Sequence, residues 1–377
     1  MTNAFDAIVV GVGGMGSATC WQLARRGQKV LGLDQFDIPH NSGSSHGVNR
    51  IIRLAYYEHP SYVPLLKRAY QLWRELESAC GEHVLHITGS VDASEPDGIV
   101  FTGALESCEL HGLSHEVLTS AELTRRFPGY QLPEHYLALY QEDGGFLLSE
   151  RCIVHHAEEA MKHGAEIHGR EEVLDWIATE NGLSVRTTRG VYHTEKLIFT
   201  AGAWMGTLLD ELAPLLKPER QVLAWLQPLE PALFTPSAFP VFNLTVPEGR
   251  YYGFPVYGNP GFKIGRYHHL DEQIDPAEPL RNPDLADEKI LRAFVSRYTP
   301  AANGPALALR TCIFTNSPDE HFIIDRLPDD ERVIVASPCS GHGYKFCSVV
   351  GEILADLAID GSTRHDISLF ALDRFAA

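Results

Sequence analysis

A glycine-rich turn near the start of the chain constrains the fold more than any other feature of the sequence. The segment Gly11–Gly16 reads Gly-Val-Gly-Gly-Met-Gly, which is the G-x-G-x-x-G spacing. An apolar run beginning at Asp6 predicts a buried parallel strand before it, and Ser17–Gly27 predicts a helix after it. A second predicted strand, Lys29–Asp34, ends in an acid. Together these elements predict a βαβ dinucleotide-binding unit.

Each glycine of this turn has a separate expected role. Gly11 makes the tight turn, Gly13 lets a pyrophosphate approach the backbone, and Gly16 lets the helix pack closely on the strand. Asp34 is expected to accept a hydrogen bond from a ribose hydroxyl. An acid rather than an arginine at this position disfavours a 2′-phosphate, which leaves NAD or FAD.

The segment Leu197–Trp204 favours FAD over NAD. It predicts a strand that ends in a turn of small residues, a type of segment that flavoproteins use to close over the nucleotide half. An ordinary buried strand with a turn is the alternative interpretation. FAD is therefore the preferred cofactor on the residues alone.

Composition limits the expected partners and location. A formal charge of −18 would repel phosphate backbones, so neither nucleic acid nor an anionic membrane surface is expected as a partner. No apolar run approaches the roughly 20 residues needed to cross a bilayer. The opening six residues lack the basic region of a secretory signal, so we expect a cytoplasmic protein. Seven cysteines without CxxC spacing argue against a disulfide framework, and no metal is expected.

Patterning along the 377 residues predicts two domains of an α/β protein, one inserted into the other. We predict a Rossmann-like FAD-binding domain over 1–80, 145–206 and 306–377, and a substrate domain on an antiparallel sheet over 81–144 and 207–305. Further helices are predicted at about 62–77, 121–127, 148–163 and 345–358. Further strands are predicted at 165–168, 221–226, 251–254, 262–265, 322–326 and 332–337.

The turn Ser340–Lys345 leads from a predicted strand into the last predicted helix. Lys345 places a positive charge at a helix N-terminus, where the helix dipole already disfavours cations. An anion should compensate, and a substrate carboxylate or the N1/O2 region of a reduced flavin are the candidates. A solvated lysine at the start of a helix is the alternative.

Six segments, in order along the chain, carry a resemblance to a known family. They are Gly11–Gly16, Ser45–Arg53, Tyr251–Pro255, Lys263–Gly265, Cys312 with Ser317–Asp325, and Ser340–Phe346. In these segments and their spacing, the chain resembles the flavoproteins of the monomeric sarcosine oxidase and N-methyltryptophan oxidase family. The resemblance implies a monomer that oxidises a small secondary amino acid with FAD and molecular oxygen. The products would be an aldehyde, the free amino acid and hydrogen peroxide.

The same resemblance implies roles for individual residues. Cys312 would form a thioether with the 8α carbon of FAD. Lys263 would lie beside flavin N5, where a fixed ammonium stabilises the negative charge that develops on oxygen. Arg53 and Lys345 would grip the substrate carboxylate, and Arg50 would line the flavin side of the pocket.

Some positions depart from the family pattern. The sarcosine enzymes have a histidine two residues after Lys-x-Gly, whereas this chain has Tyr267, followed by His268 and His269. The group that replaces the family histidine is left open among these three. Asn49 stands where a threonine is usual, and Cys339 replaces an apolar residue.

The complete expectation has two sets of residues. The expected catalytic residues are Lys263, Arg53, Lys345, Tyr252, Arg50 and His268. The expected cofactor contacts are Gly11, Gly13, Gly14, Met15, Gly16, Asp34, Gln35, Ser45, His46, Arg50, Ala201, Gly202, Trp204, Cys312, Gly341, His342, Gly343, Tyr344 and Lys345.

Other functions and the identity of the amine stay open at this point. One alternative is an oxidase of glycine, a D-amino acid or a cyclic imino acid. Another is a dehydrogenase that passes electrons to a quinone or a carrier protein, and Lys263 argues against it. A third is a non-catalytic nucleotide-binding protein, which would have no need of cations around a flavin. The sequence does not select one N-substituted amino acid.

Overall fold

A computed structural model describes residues 3–376 of the chain, so Met1, Thr2 and Ala377 of the predicted FAD-binding domain lie outside the described residues. The strands are Ala4–Val10 (β1), Val30–Leu33 (β2), Asn49–Ile52 (β3), Leu85–Ile87 (β4), Ser90–Ser94 (β5), Glu116–Thr119 (β6), Leu137–Gln141 (β7), Gly145–Leu148 (β8), Glu166–His168 (β9), Val173–Thr179 (β10), Gly182–Thr187 (β11), Val191–Phe199 (β12), Lys217–Leu226 (β13), Val241–Val246 (β14), Gly249–Phe254 (β15), Phe262–Arg266 (β16), Ala306–Asn316 (β17), Ile323–Leu327 (β18) and Asp330–Ser337 (β19). The helices are Gly14–Ala24 (α1), Val63–Cys80 (α2), Ile99–His111 (α3), Ser120–Arg126 (α4), Ser149–Lys162 (α5), Met205–Leu208 (α6), Leu285–Tyr298 (α7) and Cys347–Ile359 (α8).

The N-terminal βαβ unit lies at the centre of the first sheet. Its parallel strands run in the order β9-β2-β1-β12-β19, and β18 adds an antiparallel strand beyond β19. The outer edge of β12 is shared, because its first half pairs with β11 and its second half pairs with β19. Strands β10 and β11 form an antiparallel hairpin that joins the sheet where β11 pairs with β12.

Burial on both faces explains why β1 is a continuous apolar run. Ala7 and Val9 join a core with α1, α2, α5 and α8 on one face, whereas Phe5, Ile8 and Val10 join a core on the other face. A central parallel strand that is covered on both sides needs apolar residues at every position. The helix after it, α1, begins at Gly14, three residues earlier than predicted.

The second sheet has the order β17-β13-β16-β15-β14-β5-β7-β6, and it is antiparallel except where β14 pairs with β5. Its core is rich in aromatic rings, including Phe239, Phe242, Phe262 and Phe294 from the sheet, its loops and α7. The third sheet is small and antiparallel, with the strand order β3-β8-β4. The predicted fold class, a Rossmann-like sheet with a second sheet interleaved along the chain, is confirmed.

The elements that the sequence did not predict include two helices and a hairpin. The expectation of a single helix in 81–144 is wrong, because α3 also forms there although it begins with the strand-favouring residues Ile-Val-Phe. Helix α7 starts with a capping box between Asp284 and Asp287, which is a readable start signal. The hairpin is that of β10 and β11.

The domain division stays a prediction. Strand β17 pairs with β13 along its length in the second sheet, whereas the predicted boundary assigned 306–377 to the FAD-binding domain. We therefore expect the boundary to lie after 316 rather than at 306. Within residues 3–376, every helix is either too short or too polar to cross a membrane.

Candidate active site

A long cavity lies where the carboxyl ends of the parallel strands face the second sheet. One wall consists of the glycine turn after β1, the end of β2, the segment 200–204 after β12 and the turn 338–345 after β19. The opposite wall comes from β3, β14, β15 and β17. In α/β proteins the carboxyl edge of the sheet is where ligands bind, so this cavity is the candidate site.

The three glycines of the turn differ in what surrounds them. A Cβ on Gly16 would lie 1.8 Å from the Gly11 carbonyl oxygen, and a Cβ on Gly11 would lie 2.7 Å from that of Thr200. A Cβ on Gly13 would have only Ser45 Oγ nearby, at 3.7 Å. Gly11 and Gly16 are therefore required by the packing of the protein itself, whereas Gly13 leaves space for a ligand. Gly13, the N-cap of α1, has no side chain to cap the helix, and the Gly14 N–H donates to Ser45 Oγ at 3.3 Å. The other N–H groups of the first turn suit a phosphate.

Asp34, directly after the second strand, is buried and has a structural role as well as unused acceptor capacity. Its Oδ2 accepts from the Val12 N–H at 2.8 Å, and its Oδ1 accepts from the Phe36 N–H at 2.9 Å. Burial raises the pKa of this carboxyl, while the two N–H groups and His40 oppose the rise. Each oxygen retains acceptor capacity for a ribose hydroxyl, and Asp34 lines the cavity.

The residues that line the cavity suit the hydroxyl and phosphate groups of FAD. All the expected cofactor contacts line it except Gly16, which packs against Gly11, and His46, which lines a second, smaller cavity behind the 46–48 segment. Ser44 Oγ and Thr315 Oγ1 are buried and have no hydrogen-bond partner among residues 3–376. Both residues line the cavity, so a ligand with hydroxyl and phosphate groups would satisfy them.

Cys312 differs from the other buried cysteines in its charge environment. Burial raises the pKa values of Cys20, Cys108, Cys152, Cys339 and Cys347. Burial also opposes the Cys312 thiolate, but His46 and Arg50 outweigh it and lower the pKa of Cys312 to about 6. Arg50 Nη2 lies 3.5 Å from Cys312 Sγ. Among these buried cysteines, Cys312 is the one whose thiolate form the surrounding charges favour.

Arg53 and Lys345 lie on the same part of the cavity wall, and Arg53 is already paired. Arg53 Nη2 donates to both oxygens of Glu58, at 2.9 and 2.7 Å, and its Nε lies 3.6 Å from Asp92 Oδ1. Burial opposes ionisation of Glu58, yet Arg53, His342 and Lys345 lower the pKa of Glu58 to about 2. A substrate carboxylate would compete with Glu58 for Arg53.

Lys345 Nζ has a neutral partner, the His342 carbonyl oxygen, to which it donates at 2.6 Å. Burial, and then the charge of Arg53, lower the pKa of Lys345 to about 7. An anion in the cavity would raise this pKa again, because it would stabilise the ammonium form. Lys345 is therefore available to a carboxylate without first breaking an ion pair.

Lys263 on β16 lies behind the cavity wall rather than on it. Its Nζ donates to the carbonyl oxygens of Gly47 and Asn49, each at 2.7 Å, and to Asn49 Oδ1 at 2.9 Å. The side chain is fully buried, and burial followed by the charge of Arg50 lowers the pKa of Lys263 well below its ordinary value. Arg50 lines the cavity between Lys263 and Cys312.

The three candidates for the family histidine position lie in different environments. Tyr267 lines the cavity, with its ring 5.2 Å from Tyr252 and 5.6 Å from Phe314. His268 is outside the cavity and lies between Glu219 and Glu320, at 2.8 and 3.1 Å, which raise its pKa to about 9. His269 is buried against Asp287. The structure thus brings Tyr267, and neither histidine, to the cavity.

Sequence reasoning missed five polar residues around this site. Glu58 and Asp92 contact Arg53, and Asn243 donates to Asp92 at 2.9 Å. Arg250 lies over the ring of Tyr267, at 3.7 Å from its centroid, and Glu150 binds the 47–48 backbone. Glu58 is only five residues from Arg53, but it lies in an irregular segment, where no sequence spacing indicates a contact. The other four residues are distant from their partners in the sequence and lie on three strands and one helix.

The fold, the glycine turn and the charged cavity define a flavin-dependent oxidoreductase. The sequence profile of the family described as DAO, FAD dependent oxidoreductase, matches residues 6–357. The monomeric sarcosine oxidase of Bacillus sp. (strain NS-129) is 42% identical over 384 aligned positions, which cover 100% of this chain and 98% of that protein. The N-methyl-L-tryptophan oxidase of Salmonella enteritidis PT4 is 36% identical and covers 99% of both chains.

A solved structure extends the comparison to the fold. NikD, described as an unusual amino acid oxidase essential for nikkomycin biosynthesis, is 26% identical with a TM-score of 0.84 and covers 98% of each chain in its open form. The chain belongs to the DAO family of FAD-dependent oxidoreductases, within the group that contains the monomeric sarcosine and N-methyltryptophan oxidases. The predicted family and the FAD dependence are confirmed.

Proposed function

We propose that this enzyme oxidises the C–N bond of an N-methyl amino acid, such as sarcosine or N-methyltryptophan, and reduces oxygen to hydrogen peroxide. The observation that carries the proposal is the pair of buried basic residues, Arg53 and Lys345, on the wall of a cavity that is also lined by the glycine turn and Cys312. The names of the two relatives above agree with this substrate class. Water hydrolyses the imine product to an aldehyde and the free amino acid.

FAD supplies a hydride acceptor that can then pass electrons to oxygen. The glycine turn and Asp34 would hold its nucleotide half, and Arg50, Cys312 and the turn 341–345 would surround its ring system. Cys312 is the proposed attachment point, because it is the cavity cysteine whose thiolate is stabilised, by His46 and Arg50. A covalent link would keep the cofactor bound and make it a stronger oxidant.

Arg53 and Lys345 would bind and orient the substrate carboxylate. Lys345 offers a charge with a neutral partner, and Arg53 offers a planar fork once Glu58 is displaced. Fixing the carboxylate positions the N-methyl group, which is a proximity effect rather than acid–base chemistry. Tyr252 and Tyr267 would form the apolar wall beside the amine. We assign the family histidine position to Tyr267 in place of His268.

Lys263 would act in the oxygen half of the reaction. A buried ammonium stabilises negative charge on reduced oxygen far more strongly than a solvated one does. This role favours an oxidase over a dehydrogenase. The enzyme is proposed to work as a cytoplasmic monomer, with a FAD-binding domain and a substrate domain that includes β17.

A substrate panel with a charge-deletion variant tests the proposal. Peroxide release should be seen with N-methyl amino acids and not with the matching N-methyl amines that lack a carboxylate. Lys345→Met should raise KM for the carboxylate substrates by about 10-fold or more. Lys289→Met, an exposed lysine on α7, serves as the control and should leave KM unchanged. Equal turnover of amines with and without a carboxylate would overturn the substrate assignment.

A further inference from the structure

The segment that holds Lys263 has an unfavourable backbone conformation. Gly47 and Val48 have φ angles of 98° and 76°, in the left-handed region. A β-branched residue such as Val48 rarely adopts this conformation, and it persists only where the surroundings enforce it. Contacts on both sides of the segment must therefore fix it.

Glu150, in the first turn of α5, fixes the segment from one side. Its Oε1 accepts from the N–H groups of Gly47 and Val48, at 2.7 and 3.1 Å. Its Oε2 accepts from the Val48 N–H at 3.1 Å and from the Ser149 hydroxyl at 2.7 Å. One carboxylate thus binds two successive backbone N–H groups.

Lys263 binds the same segment from the other side. Its Nζ donates to the carbonyl oxygens of Gly47 and Asn49 and to Asn49 Oδ1. These three hydrogen bonds use all three hydrogens of the Lys263 ammonium group. These acceptors are neutral, and among residues 3–376 Lys263 forms no ion pair with a carboxylate. The Gly47 residue connects the two charges directly, since its N–H binds Glu150 and its carbonyl oxygen binds Lys263.

We propose that Glu150 is a positioning residue for Lys263: it fixes the 47–49 backbone that holds the ammonium and supplies, through that backbone, its balancing negative charge. The inference rests on the proposed role of Lys263 in the reaction with oxygen. It predicts that the two residues act as one unit, although their side chains do not touch.

Other charged and titratable groups around the pair are few. Lys263 is faced by Arg50 from β3 and by Cys312 from β17. Glu150 is faced by Arg50, and its charge is felt by Tyr344 and Cys152. Burial and Arg50 disfavour the Lys263 ammonium, and Glu150 is the carboxylate that opposes them. Loss of the Glu150 charge should therefore lower the pKa of Lys263 further.

Glu150→Gln in the holoenzyme tests the proposal, with Glu158→Gln on the exposed face of the same helix as the matched control. Stopped-flow spectroscopy should show slower flavin reoxidation by oxygen, by about 10-fold, and anaerobic reduction changed less than about 3-fold. The fall of the reoxidation rate with rising pH should begin at lower pH than in the wild type. Hydrogen–deuterium exchange should rise at the amides of 46–49, whereas Glu158→Gln should change none of these quantities.

The double variant separates this proposal from the proposed function. With Lys263→Met already present, Glu150→Gln should cause no further loss of reoxidation rate. An additive loss would overturn the positioning role, as would Glu150→Gln with unchanged amide exchange at 46–49. If Lys263→Met alone left reoxidation unchanged, the oxygen role in the proposed function would fail. Glu150→Asp, which retains the charge, should recover part of the rate if Glu150→Gln proves unstable.

Discussion

Arg53 Nη2 donates to both carboxylate oxygens of Glu58, five residues further along the chain, and Arg53 is 1% exposed. This buried pair means that the cavity does not contain two free cations. Lys345 has a neutral partner, whereas Arg53 donates to an acid that an incoming carboxylate would have to displace. We therefore expect loss of either partner to affect stability as well as the proposed carboxylate binding.

Removing one member of the pair should destabilise the protein strongly. Arg53→Ala leaves Glu58 and Asp92 without their cation, and we expect a loss of about 3–5 kcal/mol in the free energy of unfolding. Adding Glu58→Gln to Arg53→Ala should recover part of this loss, because the buried charge is also removed. Urea denaturation of the single and double variants measures both values. A double variant less stable than Arg53→Ala would contradict the assignment.

Lys345 should make carboxylate binding depend on pH. Burial and Arg53 lower its pKa to about 7, so the ammonium is present below that pH and lost above it. The Kd of acetate, a carboxylate that cannot be oxidised, should change little between about pH 5.5 and 6.5, where acetate is ionised, and rise above about pH 7, by up to about 10-fold per pH unit. His342, with its pKa lowered to about 4, does not titrate in this range. In Lys345→Met, flavin absorbance titrations should show weaker binding without the pH dependence, and a persisting rise would exclude Lys345.

Cys312 should determine whether the flavin is covalent. In the wild type the yellow colour should stay with the pellet after acid precipitation, and in Cys312→Ser it should move to the supernatant. Cys80→Ser, which lies away from the cavity, is the control. Attachment of FAD to the apoprotein should become faster as pH rises through about 6 and then level off, because the thiolate forms there. Acid-soluble flavin from the wild type would refute the link.

Substitution by alanine should affect the stability of the apoprotein at Gly16 and the affinity for FAD at Gly13. A Cβ at 16 would overlap the Gly11 carbonyl, so Gly16→Ala should lower the Tm of the apoprotein. A Cβ at 13 meets no protein atom closer than 3.7 Å, so Gly13→Ala should leave that Tm within about 2 °C and instead weaken FAD binding. Titration of FAD in a Cys312→Ser background measures the affinity. Unchanged FAD affinity in Gly13→Ala would place the pyrophosphate elsewhere.

The sequence predicted the elements whose signals are local. The βαβ unit, α2, α5 and α8 each combine hydrophobic periodicity with a turn or cap, and each is found within a few residues of its predicted bounds. The residues predicted as cofactor contacts in the glycine turn and the 341–345 turn, except Gly16, line one cavity, because each turn directly follows a parallel strand. Helix α3 could not be predicted by propensity, because its strand-favouring first turn is overridden by packing.

The partners of the charged residues could not be predicted. Asp92 on β5 contacts Arg53, and Glu150 on α5 binds the backbone of 47–48, through pairings that only the sheet order creates. Tyr267 and His268 are neighbours in the sequence, and the positive φ of His268 turns one side chain toward the cavity and the other away from it. Such differences depend on backbone angles that residue types do not specify.

Cys312 lies in the second sheet, whereas the glycine turn belongs to the first, and this separation has a mechanical consequence. FAD that is bonded covalently to Cys312 and bound through its pyrophosphate to the glycine turn would connect the two sheets. Separating β1 from β17 would then require withdrawal of an entire nucleotide, so the holoprotein should melt as one unit and resist proteolysis between its sheets.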